Sequence, residues 1–342
     1  LFTVSGNVRN VSLNSSAYHN IKFHADVAGK KVTAAASIDD NGGSVTINGT
    51  FDHSRPQRLL SLTASVHDFS PSKFGLTGKG MPALATTMTV KADITGTGIG
   101  DATGSITAKD ISISMGDESF SPKDITIDSR FDGGKHLLNI DSDICKLSLE
   151  GRFALNSIAK SLENILAKHV HTLPGKDLAY KKLNTNDFRI RGTILDMTLV
   201  NKFTDTGIVT DKPVYIDGRL CDAADFADIS IDIPHIHYKG NAYTGNNIRI
   251  RSSIDALMTD INIRKLMDNG KTYTYGLTAK AADNQLAATL RLNDNEDHPI
   301  RGSISTRASF SKATGGVSVA DIIVEPSDIS IGDTIWNVHP SK

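Results

Sequence analysis

The chain has 342 residues, enough for two average domains or one extended architecture, and its 37 basic and 38 acidic side chains leave a net charge of −1. That balance argues against a general nucleic-acid partner, which needs a basic face to release counterions, and no basic cluster is wider than a pair such as Lys181-Lys182. Aromatics make up 6% with Trp336 the single tryptophan, too few for an extensive stacking platform, and no apolar run reaches the roughly 18–20 residues of a membrane-spanning helix.

The sequence starts at Leu1, without an initiator Met or a signal peptide, so a processed or excised part of a longer protein is expected. Along it, period-two alternation dominates. Asp39-Asp40-Asn41-Gly42-Gly43 gives a first turn signal, and Leu60, Leu62, Ala64 and Val66 then alternate with Ser61, Thr63 and Ser65. Met88, Val90, Ala92 and Ile94 repeat the pattern, followed by Ile111, Ile113 and Met115, then Ile125 and Ile127. Asp132-Gly133-Gly134 is a second hairpin signal, after which Cys145 runs in phase with Leu147 and Leu149. Such alternation puts apolar side chains on one face of a pleated strand and Ser, Thr, Asp or Lys on the other.

One segment breaks the rule. From Ser157 to Val170, Ile158, Leu162, Ile165, Leu166 and Val170 recur at helical spacing, with Asn156 or Ser157 to cap the start and Pro174-Gly175 beyond the end. A weaker helical candidate runs from Leu195 to Phe203. Alternation then resumes at Ile229, Ile231 and Ile233, at Ile248 and Ile250, and at Leu286, Ala288, Leu290 and Leu292, with turns at Asp268-Asn269-Gly270 and Thr314-Gly315-Gly316. The fold class read from this is mainly β: a long curved antiparallel meander, half-pipe-like with an apolar inner face, and a short helical insertion. The expected divisions are residues 1–155, a first β region; 156–205, the helical insertion and its connection; and 206–342, a second β region.

No phosphate-binding loop or nucleophile elbow occurs, and the many Ser and Thr occupy the wet positions of strands, so no catalytic residue and no cofactor is assigned. Two cysteines, Cys145 and Cys221, exclude a disulfide scaffold and a Cys-based zinc site, leaving one bridge between them open. His235 and His237 would share a face of a strand, a spacing compatible with one metal ion, whereas His169 and His171 splay apart near a helix end. Neither pair has an acidic or Cys ligand nearby in an obvious motif, so both read as ordinary half-buried or surface histidines and no metal is assigned. The acidic residues Asp39, Asp40, Asp132, Asp268 and Asp283 have turn chemistry rather than calcium-loop spacing.

The apolar face carries the functional weight. In a closed sandwich it is core; in an open sheet it is a greasy groove suited to acyl chains, each buried methylene contributing about 0.8 kcal/mol. Composition does not separate the two. Loose internal repetition links Tyr18-His19-Asn20-Ile21-Lys22-Phe23 with Ser121-Pro122-Lys123-Asp124-Ile125-Thr126-Ile127 and Thr244-Gly245-Asn246-Asn247-Ile248-Arg249-Ile250. The C-terminal run from Gly332 through Asp333, Thr334, Ile335, Trp336, Asn337, Val338, His339 and Pro340 to Ser341 resembles a recurrent motif of the TamB family in Bacteroides-type bacteria. The blocks Asn20-Ile21-Lys22-Phe23, Asp39-Asp40-Asn41-Gly42 and Asn48-Gly49-Thr50-Phe51-Asp52, and the helix ending at His171-Thr172-Leu173-Pro174, resemble that family in style.

The resemblance implies a non-enzymatic central piece of an AsmA-like bridge protein, periplasmic, in a parent anchored to the inner membrane. It implies passage of phospholipid between inner and outer membrane, or help in assembling outer-membrane proteins with a barrel partner reached through other regions. The acyl chains would lie on Leu60, Leu62, Val90, Ile94, Ile113, Ile127, Leu149, Ile231, Ile250 and Leu290. The helix could cover or occupy the groove. The alternative is a structural, adhesive or carbohydrate-binding extracellular β-module with a closed core.

Overall fold

The computed structural model describes residues 1–13, 16–76, 83–98, 100–173, 176–204, 207–267, 269–296, 300–314 and 316–341. The sequence-predicted turn residues Pro174, Gly175, Asp268 and Gly315 lie outside them. Strands make up 67% of the chain and helices 7%, so the mainly β class is what the chain adopts. By contact it divides into two compact units, one of Leu1–Ser148 with Thr198–Asp205 and one of Leu149–Met197 with Thr206–Lys342. The expected divisions at 155 and 205 thus differ from these: the first helix goes with the second unit and the second helix with the first.

The first unit holds β1 (Phe2–Leu13), β2 (Ser16–Ala28), β3 (Lys31–Asp40), β4 (Gly43–Asp52), β5 (Arg58–Phe69), β6 (Ala85–Gly96), β7 (Thr103–Met115), β8 (Glu118–Phe120), β9 (Ile125–Asp132) and β10 (Lys135–Asp141). Each of β1 to β7 pairs antiparallel with the next, and β7 goes on to β9 and β9 to β10. The unit boundary falls inside β11 (Cys145–Arg152).

The second unit contains α1 (Ile158–His169), the two-residue strands β12 (Thr172–Leu173) and β13 (Lys176–Asp177), and β14 (Asp187–Ile194). The helix α2 (Thr198–Thr204) follows and belongs to the first unit, where Lys202 is paired with Glu118 at 2.7 Å. The second unit continues with β15 (Val214–Cys221), β16 (Phe226–Tyr238), β17 (Asn241–Ser252), β18 (Leu257–Leu266), β19 (Thr272–Ala282), β20 (Gln285–Asn293) and β21 (Ile300–Lys312). From β14 to β21 every neighbour is antiparallel, and β21 then pairs with both β22 (Ser318–Val324) and β23 (Ser327–Ile331), the latter leading to β24 (Thr334–Val338). The sheet is not closed into a barrel.

Local chemistry explains the hairpins. Gly133 and Gly134 have φ of +55° and +79°, the pair of positive values that a two-residue turn between right-twisted strands requires. Lys239-Gly240 and Asp283-Asn284 supply the same conformation elsewhere. Left-handed residues also occur inside strands: Asp68 at +48° and Asp110 at +53° sit where the β5–β6 and β6–β7 registers shift, and Gly245 at +61° where β17–β18 shifts. At such a bulge one extra residue is inserted and the side-chain parity reverses. Hence Ile106 and Ala108 precede Asp110 on even positions, and Ile111, Ile113 and Met115 follow it on odd ones, while the face stays the same.

Helix α1 packs against β16 and β18. Its buried residues are Ser161, Asn164, Ile165, Ala167 and His169, whereas Leu162, expected on the apolar stripe, is 40% exposed. The face is turned because polar groups hold it. Asn186, fully buried, donates to Ser157 Oγ and Ser161 Oγ and accepts from the Ala154 amide, and Asn164 accepts from the Lys181 amide. Ser157 stands at the N-cap as expected, but its hydroxyl donates to the Ala154 carbonyl and makes no cap bond. Both cysteines are free thiols.

Candidate functional site

Register lays the apolar side chains end to end. In the first unit one row runs Val4–Ala25–Ala34–Gly49–Leu62–Ala92–Ile106–Ile127–Ile140, each residue directly opposite the next. It crosses nine strands, and eight steps of about 4.8 Å make it roughly 38 Å long. On one side lies Gly6–Phe23–Ala36–Ile47–Ala64–Val90–Ala108–Ile125, on the other Phe2–Val27–Val32–Phe51–Leu60–Ile94. From β2 to β6 the middle row is small except at Leu62, and bulkier Phe23, Ile47, Phe51, Leu60 and Ile94 flank it. The result is a shallow trough across the strands. Five sequence-predicted residues, Leu60, Leu62, Val90, Ile94 and Ile127, stand in these rows, and Ile113 joins their face opposite Thr86 because of the bulge at Asp110.

The second unit repeats the device. Gly192–Ile216–Ile231–Ile248–Ile261–Leu277–Leu290–Ile304 is one row, and Ile190–Gly218–Ile229–Ile250–Thr259–Ala279–Ala288–Thr306 is its neighbour. Ile231, Ile250 and Leu290 therefore share one face. Leu149 stands apart from the other nine: at 3% exposure it is sealed in the interior. Phe23, Ile47, Phe51, Ile106, Ile261, Leu277 and Ile304 belong to the rows but not to the sequence-predicted set, and strand register is the signal that finds them.

The rows are partly open to solvent. Leu60, Leu62, Val90, Ile94, Ile113, Ile127, Ile231 and Ile250 are half-buried, and Leu290 is 49% exposed. The accessible surface is 20405 Å² for 36.7 kDa. A compact protein of that mass exposes about 13,500 Å², and two separate compact domains of half the mass together about 16,300 Å².

Among the described residues, both units have buried caps at one end. In the first unit Phe74, from the β5–β6 connection, is buried; it stacks on Phe69 at 4.6 Å between ring centres and accepts a hydrogen bond from Tyr18 at its carbonyl. In the second unit α1 is accompanied by a buried terminal row that includes Phe188, Leu220, Ala227 and Ala281. The helix is thus an end cap, leaving the middle rows uncovered. At its C-terminal end, Asp225 is gripped by Lys168 at 3.1 Å, Lys182 at 2.8 Å and Tyr180 at 3.0 Å. His169 is buried there and His171 exposed.

The opposite face is polar and cross-linked: Ser61 donates to Asp93, Thr3 to Asp26 and Arg189 to Asp217, each across neighbouring strands. Such pairs contribute about 0.2–1 kcal/mol apiece.

His235 and His237 have a third companion. Asp211, 24 residues earlier, lies 2.6 Å from His235 Nδ1, and one ligand atom from each of the three side chains falls within 4.8 Å of the others. The C-terminal run forms the β23–β24 hairpin, with Gly332 at φ +57° in its turn and Trp336, 61% exposed, opposite Ile329. Compared with protein-family models, curated proteins and solved structures, the chain matches none.

Proposed function

We propose that this chain is a non-enzymatic segment of a TamB-like bridge protein whose open apolar face carries the acyl tails of phospholipid across the periplasm, between inner and outer membrane. The observation that supports it is the set of continuous apolar rows, crossing up to nine strands and mostly half-buried rather than sealed. Contiguous apolar surface beyond a few hundred Å² is rare on monomeric proteins and marks a binding surface. The residues offered are aliphatic, with small side chains down the middle of the trough, which suits a flexible hydrocarbon chain better than a planar ring. Tails would lie along the rows while head groups stay at the wet margins.

Under this reading flow is passive and no residue does covalent chemistry; an inner-membrane anchor and contacts with an outer-membrane barrel partner would be supplied by other parts of the parent protein. The same face could hold an extended apolar strand of a nascent outer-membrane protein. The closed-core alternative, an adhesive or carbohydrate-binding module, is disfavoured by the exposure of the rows.

The test is native mass spectrometry, with lipid extraction, on protein purified from a bacterial host. Phospholipid should co-purify, and Ile127→Asp together with Leu290→Asp should reduce it about tenfold while circular dichroism is unchanged. Leu290→Asp alone serves as the mildest variant, because that side chain is already half in solvent. Lipid-free protein, or lipid content indifferent to these charges, would remove the proposal.

A further inference from the structure

We propose that Asp211, His235 and His237 form a binding site for a divalent transition-metal cation of the zinc class. The argument begins with the backbone. Val209 and His237 exchange both hydrogen bonds, Val209 N to His237 O at 2.9 Å and His237 N to Val209 O at 2.7 Å, as an antiparallel pair. Two residues on from Val209 is Asp211, and two residues back from His237 is His235, so the antiparallel register sets Asp211 beside His235 with the three side chains on one face.

The side chains agree. Asp211 Oδ1 is 2.6 Å from His235 Nδ1, and the two imidazoles stand edge to face with ring centres 4.6 Å apart. Three ligand atoms within 4.8 Å of one another are close to what a cation needs. Bonds of about 2.1 Å in a tetrahedron put ligand atoms about 3.4 Å apart, within reach of small rotations about the side-chain bonds. Two imidazole nitrogens and a carboxylate are also the donor set that zinc-class ions take, with the fourth position left to water.

The site has structural sense. Residues 207–213 lead into β15 and lie outside any strand, held to β16 through the Val209–His237 bridge. A cation shared by Asp211 and the two histidines would staple this segment to the sheet. A plain Asp–His hydrogen bond accounts for one of the contacts but gives His237 no part.

Calorimetric titration of the whole chain with zinc chloride, any histidine tag removed, decides the matter. The expected result is saturable binding of one zinc per chain, weakened tenfold or more by His237→Ala and by Asp211→Asn and untouched by His171→Ala. His237 is exposed, so its loss should leave the fold intact by circular dichroism. Cobalt(II) provides an independent readout: a visible d–d absorption band that disappears in His237→Ala. Absence of saturable binding, or binding and cobalt absorption unaltered in a folded His237→Ala protein, would overturn the assignment.

Discussion

Asp225 shows how much one residue can carry. Its side chain is 5% exposed and its backbone is left-handed, at φ +48°. Burial by itself would push the carboxyl up; hydrogen bonds from Lys182, Lys168 and Tyr180 outweigh it and hold the group below the usual carboxylate range. The bond to Asp225 in turn raises the Lys182 ammonium. Asn tolerates the left-handed region as Asp does, whereas Ala does not, so two substitutions separate charge from backbone. Asp225→Asn should cost about 1.5–3 kcal/mol through weakened charge-assisted bonds, and Asp225→Ala about 1 kcal/mol more through backbone strain, measured by urea unfolding. A carboxyl whose folded pKa is lowered stabilises the fold above its unfolded pKa and ceases to do so as pH falls through the folded value. The gap between wild type and Asp225→Asn should therefore be full at neutral pH, begin to shrink near the unfolded carboxylate pKa of about 4, and vanish as pH falls through the lowered folded value.

Elements are joined here by buried polar links as much as by apolar contact, and Asn186 is the clearest case. Besides its side-chain bonds to Ser157, Ser161 and Ala154, its amide donates to Asp222 Oδ2 and its carbonyl accepts from the Asp222 amide. One residue thus ties the start of α1 to the segments leading into β14 and out of β15. Asn186→Ala would leave the Ala154 amide and the Ser161 hydroxyl short of a partner, at about 1–3 kcal/mol for a buried group so stranded, while Ser157 keeps its bond to the Ala154 carbonyl. The expected loss is about 3 kcal/mol, seen as early melting of the helical circular dichroism signal; an unchanged melt would mean water replaces the amide. This link is not legible in the sequence, where Ile158, Leu162 and Ile165 point to a plain apolar stripe and Asn186 to nothing. The strand runs are another matter. Leu60 to Val66 and Met88 to Ile94 announce their face by alternation alone. What alternation cannot show is the parity reversal at Asp68 and Asp110, because Asp permits a left-handed conformation without demanding it. Nor can it show that Asp211 meets His235, since register rather than spacing brings them together.

At the scale of the whole molecule, the architecture is a succession of nearest neighbours. Within each unit the long strands pair with the ones before and after them, β2 to β6 in the first and β15 to β20 in the second, as in repeat proteins whose stability is a sum of local and adjacent terms. Among the described residues the apolar rows are mostly half-buried, so a perturbation in one row has few packed neighbours to spread through. Leu62 faces Gly49 on β4 and Ala92 on β6, and Leu62→Ala removes apolar area worth about 1–2 kcal/mol at such burial. Hydrogen exchange should report that loss in β4, β5 and β6, with amides of β18 to β20 at wild-type protection. The strand β1, whose described pairing is with β2 alone, should exchange faster than β5 in either protein. A uniform fall in protection through both units would instead mean one cooperative body. On the lipid-carrying function proposed above, such local failure is tolerable: a charge or cavity in one row would open a single rung and leave the apolar rows on either side in place.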